Sequence, residues 1–293
     1  MGDNTKRIRY MNLYLYSADG VDSANHKWDY GLLKEFCERK NISQIEVKEV
    51  PNDDKAFVAI PGPSNKGLEH IVQEQLKKIK HVILFVMGDE AAEFNINKIK
   101  HENMQVWIQY PHNHHKYYNK FPQGAPQHFK EKSPEYRNKE FNLYFSGQIN
   151  HSRRKDLANI MPLMDNSLFN PTTGFTLGDT PEVYYSNMVR SKMVPCPSGI
   201  KVLDSFRFYE ALELLCLPLA DSVDPSGEKT MYFEKLFNNT MKVPKIQNWN
   251  DLPDLMVELN KNYPANMHSA VAWWIKYKRD LFNTIMEQIN ENT

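Results

Sequence analysis

The sequence predicts an α/β protein made of two doubly wound halves, and three observations carry that expectation. Short β-rich runs alternate with amphipathic helical stretches along the chain. Residues 82–87, VILFVM, form a continuous apolar run, the pattern of a strand buried on both faces of a parallel sheet. The alternation breaks between residues 110 and 140, where Pro, His, Lys, Tyr and Gln replace any period, and then resumes. With 293 residues, 41% of them hydrophobic, the chain has the length for two medium domains and the apolar content for real cores.

In the first half, residues 10–16 predict a strand, followed by the turn-rich loop SADGVDSANH. Residues 29–40 carry Tyr30, Leu33, Phe36 and Cys37 at helical spacing, and 45–50 read as a second strand. Leu68, Ile71, Val72, Leu76 and Ile79 lie on one stripe of a helix over 68–79. Strands at 82–87 and 104–108 follow. The second series opens with a strand at 141–145 ending in Ser146-Gly147, then a helix over 151–164. Strands at 193–195, 217–220 and 241–246 alternate with helices at 204–216, 230–237 and 252–261. A long final helix over 265–290 carries Trp273, Trp274, Tyr277 and Phe282. The division expected is 1–140, 141–266 and a terminal helix 267–293, with the ligand site in a cleft at strand C-terminal ends.

Composition narrows the function. Lys+Arg and Asp+Glu are both 36, so global charge does not drive non-specific nucleic-acid coating. Cys37, Cys196 and Cys216 are too few and too scattered for a disulfide framework or a zinc ribbon. The longest clean apolar run falls far short of the ~20 residues that span a bilayer, and the first residues lack signal-peptide character. A cytoplasmic protein is the expectation. The loop SADGVDSANH has one glycine, which excludes a dinucleotide fingerprint, and the chain has no P-loop.

Residues 195–221, PCPSGIKVLDSFRFYEALELLCLPLAD, carry the most chemistry. Asp204 and Ser205 stand where a helix N-cap belongs, after a loop containing Pro197, Ser198 and Gly199. A helix N-terminus offers unpaired N–H groups and partial positive charge to a phosphate. Arg207 and Glu210, three apart, share nearly one face. An arginine can grip a diphosphate through two parallel bonds, and a carboxylate one turn on can accept both ribose hydroxyls. The same pair also reads as a surface ion pair on an ordinary amphipathic helix.

The segment resembles the donor-site motif of exostosin-like (family 47) glycosyltransferases, in Pro197, Gly199, Asp204, Ser205, Phe206, Arg207, Glu210, Ala211, Leu212, Cys216 and Pro218. Upstream, FSGQINHSRRKDL is similar to the strand–turn–helix that opens the same domain, with Gly147, Gln148, Arg153 and Arg154 in place. The resemblance covers about residues 141–250; VMGDE and WIQYP in the first half match only loosely. It implies a GT-B fold, two Rossmann-like domains facing a central cleft, with the C-terminal helix crossing back to the first domain. It also implies an inverting, metal-independent transfer from a nucleotide-sugar, a UDP-sugar being the expected donor, with no further cofactor. By that resemblance Arg207 with Arg153 or Arg154 holds the diphosphate, Ser198, Gly199, Asp204, Ser205 and Phe206 shape its cradle, and Glu210 binds the ribose. Eukaryotic exostosins are membrane-anchored; the absence of an anchor here suggests a soluble bacterial or phage-type member, acting in the host cytoplasm if phage-encoded.

Inversion needs one general base. Two strand-end loops offer candidates: Asp89 with Glu90 after the run 82–87, which is favoured, and Asp19 with Asp22 and His26 after the first strand. Asp89-Glu90 also reads as an N-cap pair for the helix that follows. His112, His114 and His115 lack a carboxylate or cysteine partner at ligand spacing, so no metal site is expected. Residues 112–155 hold nine basic side chains against three glutamates, interleaved with aromatics, including Lys116, Lys120, Lys130 and Lys132. Basic plus aromatic suits a polyanion groove, and hydroxymethylated DNA bases of a phage-type modification system are one acceptor it fits. Solvated linker charge is the other reading, with a glycan, lipid or protein acceptor. A non-catalytic nucleotide-sugar-binding module is the competing class.

Overall fold

The computed structural model describes residues 11–20, 28–126, 138–174 and 177–291. Asp22, His26, Lys130 and Lys132 lie outside the described residues. The chain divides into two compact units, Met1–Phe121 with Phe282–Thr293, and Pro122–Leu281. Both are α/β, as the alternating pattern predicts.

In the first unit the order is β1 (Asn12–Tyr16), α1 (Gly31–Lys40), β2 (Ser43–Val47), β3 (Asp53–Pro61), α2 (Glu69–Leu76), β4 (Ile79–Met87), β5 (Met104–Gln109) and β6 (Asn119–Phe121). The strands pair in parallel in the order β2-β1-β3-β4-β5-β6. β3 and β4 are buried on both faces, and alternate side chains serve opposite layers. Ala56, Val58, Ile60, Val82, Leu84 and Val86 cluster with Val72 and Leu76 of α2. Phe57 and Phe85 point the other way, where Phe36 of α1 packs 5.4 Å from Phe57 and equally close to Phe282.

β3 is a central strand that periodicity did not flag. Its head, Asp53-Asp54-Lys55, is charged and half-buried, while Ala56–Ile60 behind it is completely buried. Tyr14 Oη donates to Asp53 at 3.0 Å, which ties that charged head to the neighbouring strand.

In the second unit the order is β7 (Phe141–Gln148), α3 (Ser152–Ile160), β8 (Ser167–Thr172), α4 (Pro181–Val189), β9 (Ser191–Cys196), α5 (Phe206–Glu213), β10 (Leu217–Asp221), α6 (Tyr232–Leu236), β11 (Lys245–Ile246), α7 (Leu252–Lys261) and α8 (Tyr263–Glu291), whose residues from Phe282 on belong to the first unit. The sheet order is β11-β10-β9-β7-β8, all parallel. β8 and α4 are additions to the sequence reading; β8 is a half-exposed edge strand that tolerates Pro171. α5 buries Phe208 and Tyr209 against Phe233, Phe237 and Trp274, with Phe208 stacked on Phe233 at 5.1 Å. Lys278 and Trp274 of α8 both donate to Glu213 at the end of α5, which fixes this stretch of α8 on the core of the second unit. No helix among the described residues is long and apolar enough to cross a membrane.

Candidate functional site

The strand order of the second unit reverses between β7 and β9, since β7 leads to β8 on one side and the chain then returns to β9 on the other. Ligands of open parallel sheets bind at this switch point, beyond the strand C-termini. Ser146-Gly147-Gln148 and Cys196-Pro197-Ser198 end the two strands concerned.

The loop after β9 is built to be tight. A Cβ on Gly199 would lie 2.6 Å from the Asp204 carbonyl and 3.0 Å from that of Val202, so only glycine lets the loop close on itself. Ser198 is completely buried: its N–H donates to Asp221, and its carbonyl accepts from His151 Nε2 at 3.0 Å and Arg154 Nε at 3.2 Å. Its hydroxyl is buried without a partner. Ser205 is the N-cap of α5, with extended backbone, yet its hydroxyl makes no capping bond and is also buried and unpartnered.

Arg207, in the first turn of α5, reaches back to β7. Its guanidinium lies 4.5 Å over the Phe145 ring and donates through Nη2 to the Ser146 carbonyl at 2.7 Å. A Cβ on Gly147 would come within 2.5 Å of that Nη2, so glycine here makes room for the arginine. Arg207 Nε is buried with no acceptor, and Arg207 makes no ion pair among the described residues. Thus Ser198 Oγ, Ser205 Oγ and Arg207 Nε, three buried polar atoms lacking partners, flank one helix N-terminus. Such atoms cost free energy unless something fills the site.

The other expected donor residues divide. Arg154 bridges the two strand ends, donating to the carbonyls of Gln148 and Ser198. Arg153 grips Asp221 through Nε at 3.2 Å and Nη2 at 2.7 Å, and also donates to the Gln247 carbonyl. That guanidinium is engaged in a buried ion pair under the site. Asp204 is not the cap; Ser205 is. The Asp204 carboxylate instead accepts from the hydroxyls of Tyr209 and Tyr232 and from the Ser205 N–H. Phe206 opens α5, half-buried. Glu210 is 4% exposed, accepts from Tyr184 Oη at 2.8 Å, and burial pushes its carboxyl up to about 7 against that bond and the nearby Arg207.

Burial likewise pushes Asp204 up to about 7, opposed by its hydrogen bonds from Tyr209, Tyr232 and the N–H groups of Ser205 and Gln123. A carboxyl whose folded-state pKa is raised stabilises fully below its unfolded pKa, and that contribution disappears as pH rises to the folded value. The melting temperature is therefore expected to decline from about pH 4 to about pH 7, Glu210 acting in the same direction. Asp204→Asn should flatten the slope. Parallel melting-temperature profiles for wild type and variant at pH 4.5, 6 and 7.5 would refute it.

In the first unit, Asp89 follows β4, as expected, but it is 2% exposed and closes its own loop. Its two oxygens accept from the N–H groups of Glu93 and Phe94 at 2.8 and 2.9 Å, and Gly62 leaves space for its side chain. No α-helix starts at Asp89-Glu90; a turn and a short 3₁₀ segment, Ile96–Lys98, follow. Asp19 is exposed and accepts from Ser17 Oγ. A third carboxylate, Asp29, was hidden in the sequence as the start of a helix. It lies two residues before α1, and Tyr110 Oη donates to it at 3.0 Å across 81 residues of sequence.

The histidines form a packed turn: His112 contacts the Glu90 carbonyl through Nε2, and the His114 and His115 rings are 4.0 Å apart. Burial, with the neighbouring imidazoles, pulls His115 down to about 4. No group of three or more His, Cys, Asp or Glu among the described residues is arranged to hold a metal ion. Of the lysines expected at the acceptor, Lys116 places its ammonium 4.6 Å over the ring of Tyr117, itself 84% exposed, and Lys120 lies in β6.

No protein-family model and no curated protein matches the sequence. Among solved structures, an α1,3-fucosyltransferase matches over all of this chain and 93% of its own, with a TM-score of 0.52 at 11% identity. The α1,3-fucosyltransferase with GDP matches over the same shares with a TM-score of 0.51, also at 11% identity. A glycosyltransferase from Rickettsia africae ESF-5 is similar at a TM-score of 0.43 and 9% identity, over 97% of this chain and 100% of that one. What the chain shares with the fucosyltransferase structures is the fold, the α/β architecture of two Rossmann-like units that defines the GT-B class.

Proposed function

We propose that this protein transfers a sugar from a nucleoside-diphosphate sugar to an acceptor hydroxyl, and that it binds the donor at the β7–β9 switch point. The observation that carries the proposal is the set of unpartnered buried atoms, Ser198 Oγ, Ser205 Oγ and Arg207 Nε, around the N-terminus of α5. Two hydroxyls, one guanidinium and a helix N-terminus are together the complement of a diphosphate. Glu210, one turn along the same helix, is the ribose acceptor in this reading. Arg153 and Asp221 position the Ser198 loop from below. The resemblance to exostosin-like sequences and the fold shared with an α1,3-fucosyltransferase with GDP both support a nucleotide-sugar donor. Helix dipole and Arg207 can meet the charge of the departing diphosphate without a divalent ion, and the displacement is a single, inverting one.

Thermal-shift titrations with GDP, UDP, ADP and CDP, and with GDP- and UDP-sugars, test the proposal. A ligand at 100 times its Kd adds about 2.7 kcal/mol to stability. At least one nucleoside diphosphate should raise the melting temperature with saturating dependence. No shift from any of them would end the donor assignment. Release of the nucleoside diphosphate from its sugar then separates an enzyme from a binding module.

A further inference from the structure

Within the second unit, Glu210 is held from one side. Its Oε2 accepts from Tyr184 Oη at 2.8 Å, while Oε1 has no hydrogen-bond partner among the described residues. Tyr184 comes from α4 and Glu210 from α5, so the bond joins two helices across 26 residues of sequence. Tyr184 is itself set by a chain of contacts. Its ring meets that of Tyr144 in β7 edge to face at 5.5 Å. Tyr144 Oη donates to Asp179 Oδ2 at 2.9 Å, and Asp179 Oδ1 accepts from Asn170 Nδ2 of β8 at 2.8 Å. Asp179 immediately precedes Thr180, whose hydroxyl caps α4 by accepting from the Val183 N–H. Two strands and a capped helix start thus fix the approach of Tyr184 to Glu210.

A carboxyl group only 4% exposed, with one oxygen anchored and the other unused, is costly unless a ligand completes it. Burial pushes Glu210 up to about 7, and the Tyr184 bond and Arg207 oppose that rise. The titratable and charged groups around it are Arg207 on its own helix, Tyr184 of α4 with Tyr144 of β7 behind it, and Cys196 at the end of β9. Burial pushes Tyr184, Tyr144 and Cys196 up, so all three stay neutral where Glu210 titrates, and Arg207 supplies the charge that Glu210 meets. An ionised carboxylate accepts at both oxygens, whereas a protonated one carries a donor on one of them. Ribose hydroxyls therefore suit the charged form.

We propose that Tyr184 is the positioning residue for ribose recognition: it pins one oxygen of Glu210 and leaves the other to accept from the 2′-hydroxyl, so that the site selects ribonucleoside over 2′-deoxyribonucleoside diphosphates. This rests on the nucleotide-donor reading above. Because the ribose hydroxyls favour the carboxylate over the carboxylic acid, binding a ribonucleotide sends the Glu210 proton to solvent. The preference for ribose then grows as pH rises through the range in which Glu210 ionises. Without the Tyr184 bond the carboxyl group ionises at higher pH and loses its anchored oxygen.

The full chain is titrated calorimetrically with GDP, UDP, ADP and CDP, each beside its 2′-deoxy form, at pH 6, 7 and 8. The readout is the ratio of the two Kd values. Protonation of Asp204, His151 and the phosphates acts on both forms and cancels in that ratio. In wild type the ribose form should bind about ten-fold tighter or more at pH 8, as a hydrogen bond to a charged group implies, with the ratio declining toward pH 6. Tyr184→Phe should cut the ratio at pH 7 to under about three-fold while 2′-deoxy affinity stays within about two-fold, and its rise should move to higher pH, because the lost bond favours the carboxylate. Glu210→Gln should remove the pH dependence of the ratio. Tyr184→Phe with the wild-type ratio at every pH, or with both forms weakened alike, would overturn the role of Tyr184 and leave the donor site in place. A wild type that binds both forms equally would overturn ribose recognition by Glu210, and one that binds no nucleotide would end the donor reading and the Tyr184 role together.

Discussion

Asp221→Ala is expected to cost about 3–5 kcal/mol of stability, the penalty of leaving a buried cation without its partner. Asp221 is completely buried and accepts from five donors: Arg153 Nε and Nη2, Trp249 Nε1, and the N–H groups of Ser198 and Val223. Removing it strands a guanidinium that is 7% exposed, with the Gln247 carbonyl and a 3.6 Å approach to Asp156 as its remaining contacts. Three unpaired N–H groups, those of Ser198, Val223 and the Trp249 indole, add to the penalty. Since one of them belongs to Ser198, nucleotide affinity should fall with stability. Asp221→Asn keeps the shape and some of the bonds, so its loss should be smaller. Urea denaturation at pH 7 measures both, and a loss under 1 kcal/mol for the alanine variant would show that the pair is not what holds the loop.

That ion pair marks the limit of what the sequence made legible. Arg153 and Arg154 looked interchangeable as the second diphosphate ligand beside Arg207, because the partner that claims Arg153 is 68 residues away, at the end of β10. Residue type and spacing located the β9–α5 segment; tertiary pairing distinguishes its arginines. The fold was legible wherever burial is uniform, as in β4, or periodicity is long, as in α8. It was obscured in β3, whose charged head hides a buried core strand, and in β8, whose edge position leaves no periodic signal.

The first-unit carboxylates show the same limit differently. Asp89 drew notice because it follows an apolar run, a true inference about position, but position does not reveal that Glu93 and Phe94 take its oxygens. Asp29 drew none, since it reads as the first residue of the helical pattern over 29–40. Its surroundings come from Tyr110 and Gly88, which directly follow two neighbouring strands. One local hint existed: Gly88 directly after a buried strand suggests a backbone turn with φ above zero, which it adopts.

Arg207→Ala is expected to raise the Kd for GDP or UDP by ten-fold or more while leaving the melting temperature of the free protein unchanged or higher. The binding loss follows from a charge-assisted hydrogen bond contributing about 1.5–3 kcal/mol. The stability result follows from what surrounds Arg207 without ligand: a phenyl face, one carbonyl, an unsatisfied Nε and the nearby Glu210 carboxyl, which burial pushes toward its neutral form, with no ion pair among the described residues. A cation in that setting gains little from folding, so its removal costs little. This is the opposite of Asp221, where stability and binding fall together. Arg207→Lys should recover only part of the affinity, because an ammonium keeps the charge but loses the planar fork and the stacking on Phe145. Calorimetric titration beside thermal melts reads both quantities. If Arg207→Ala lowers the melting temperature sharply and leaves nucleotide affinity intact, Arg207 is a structural brace between α5 and β7, and the diphosphate does not bind there.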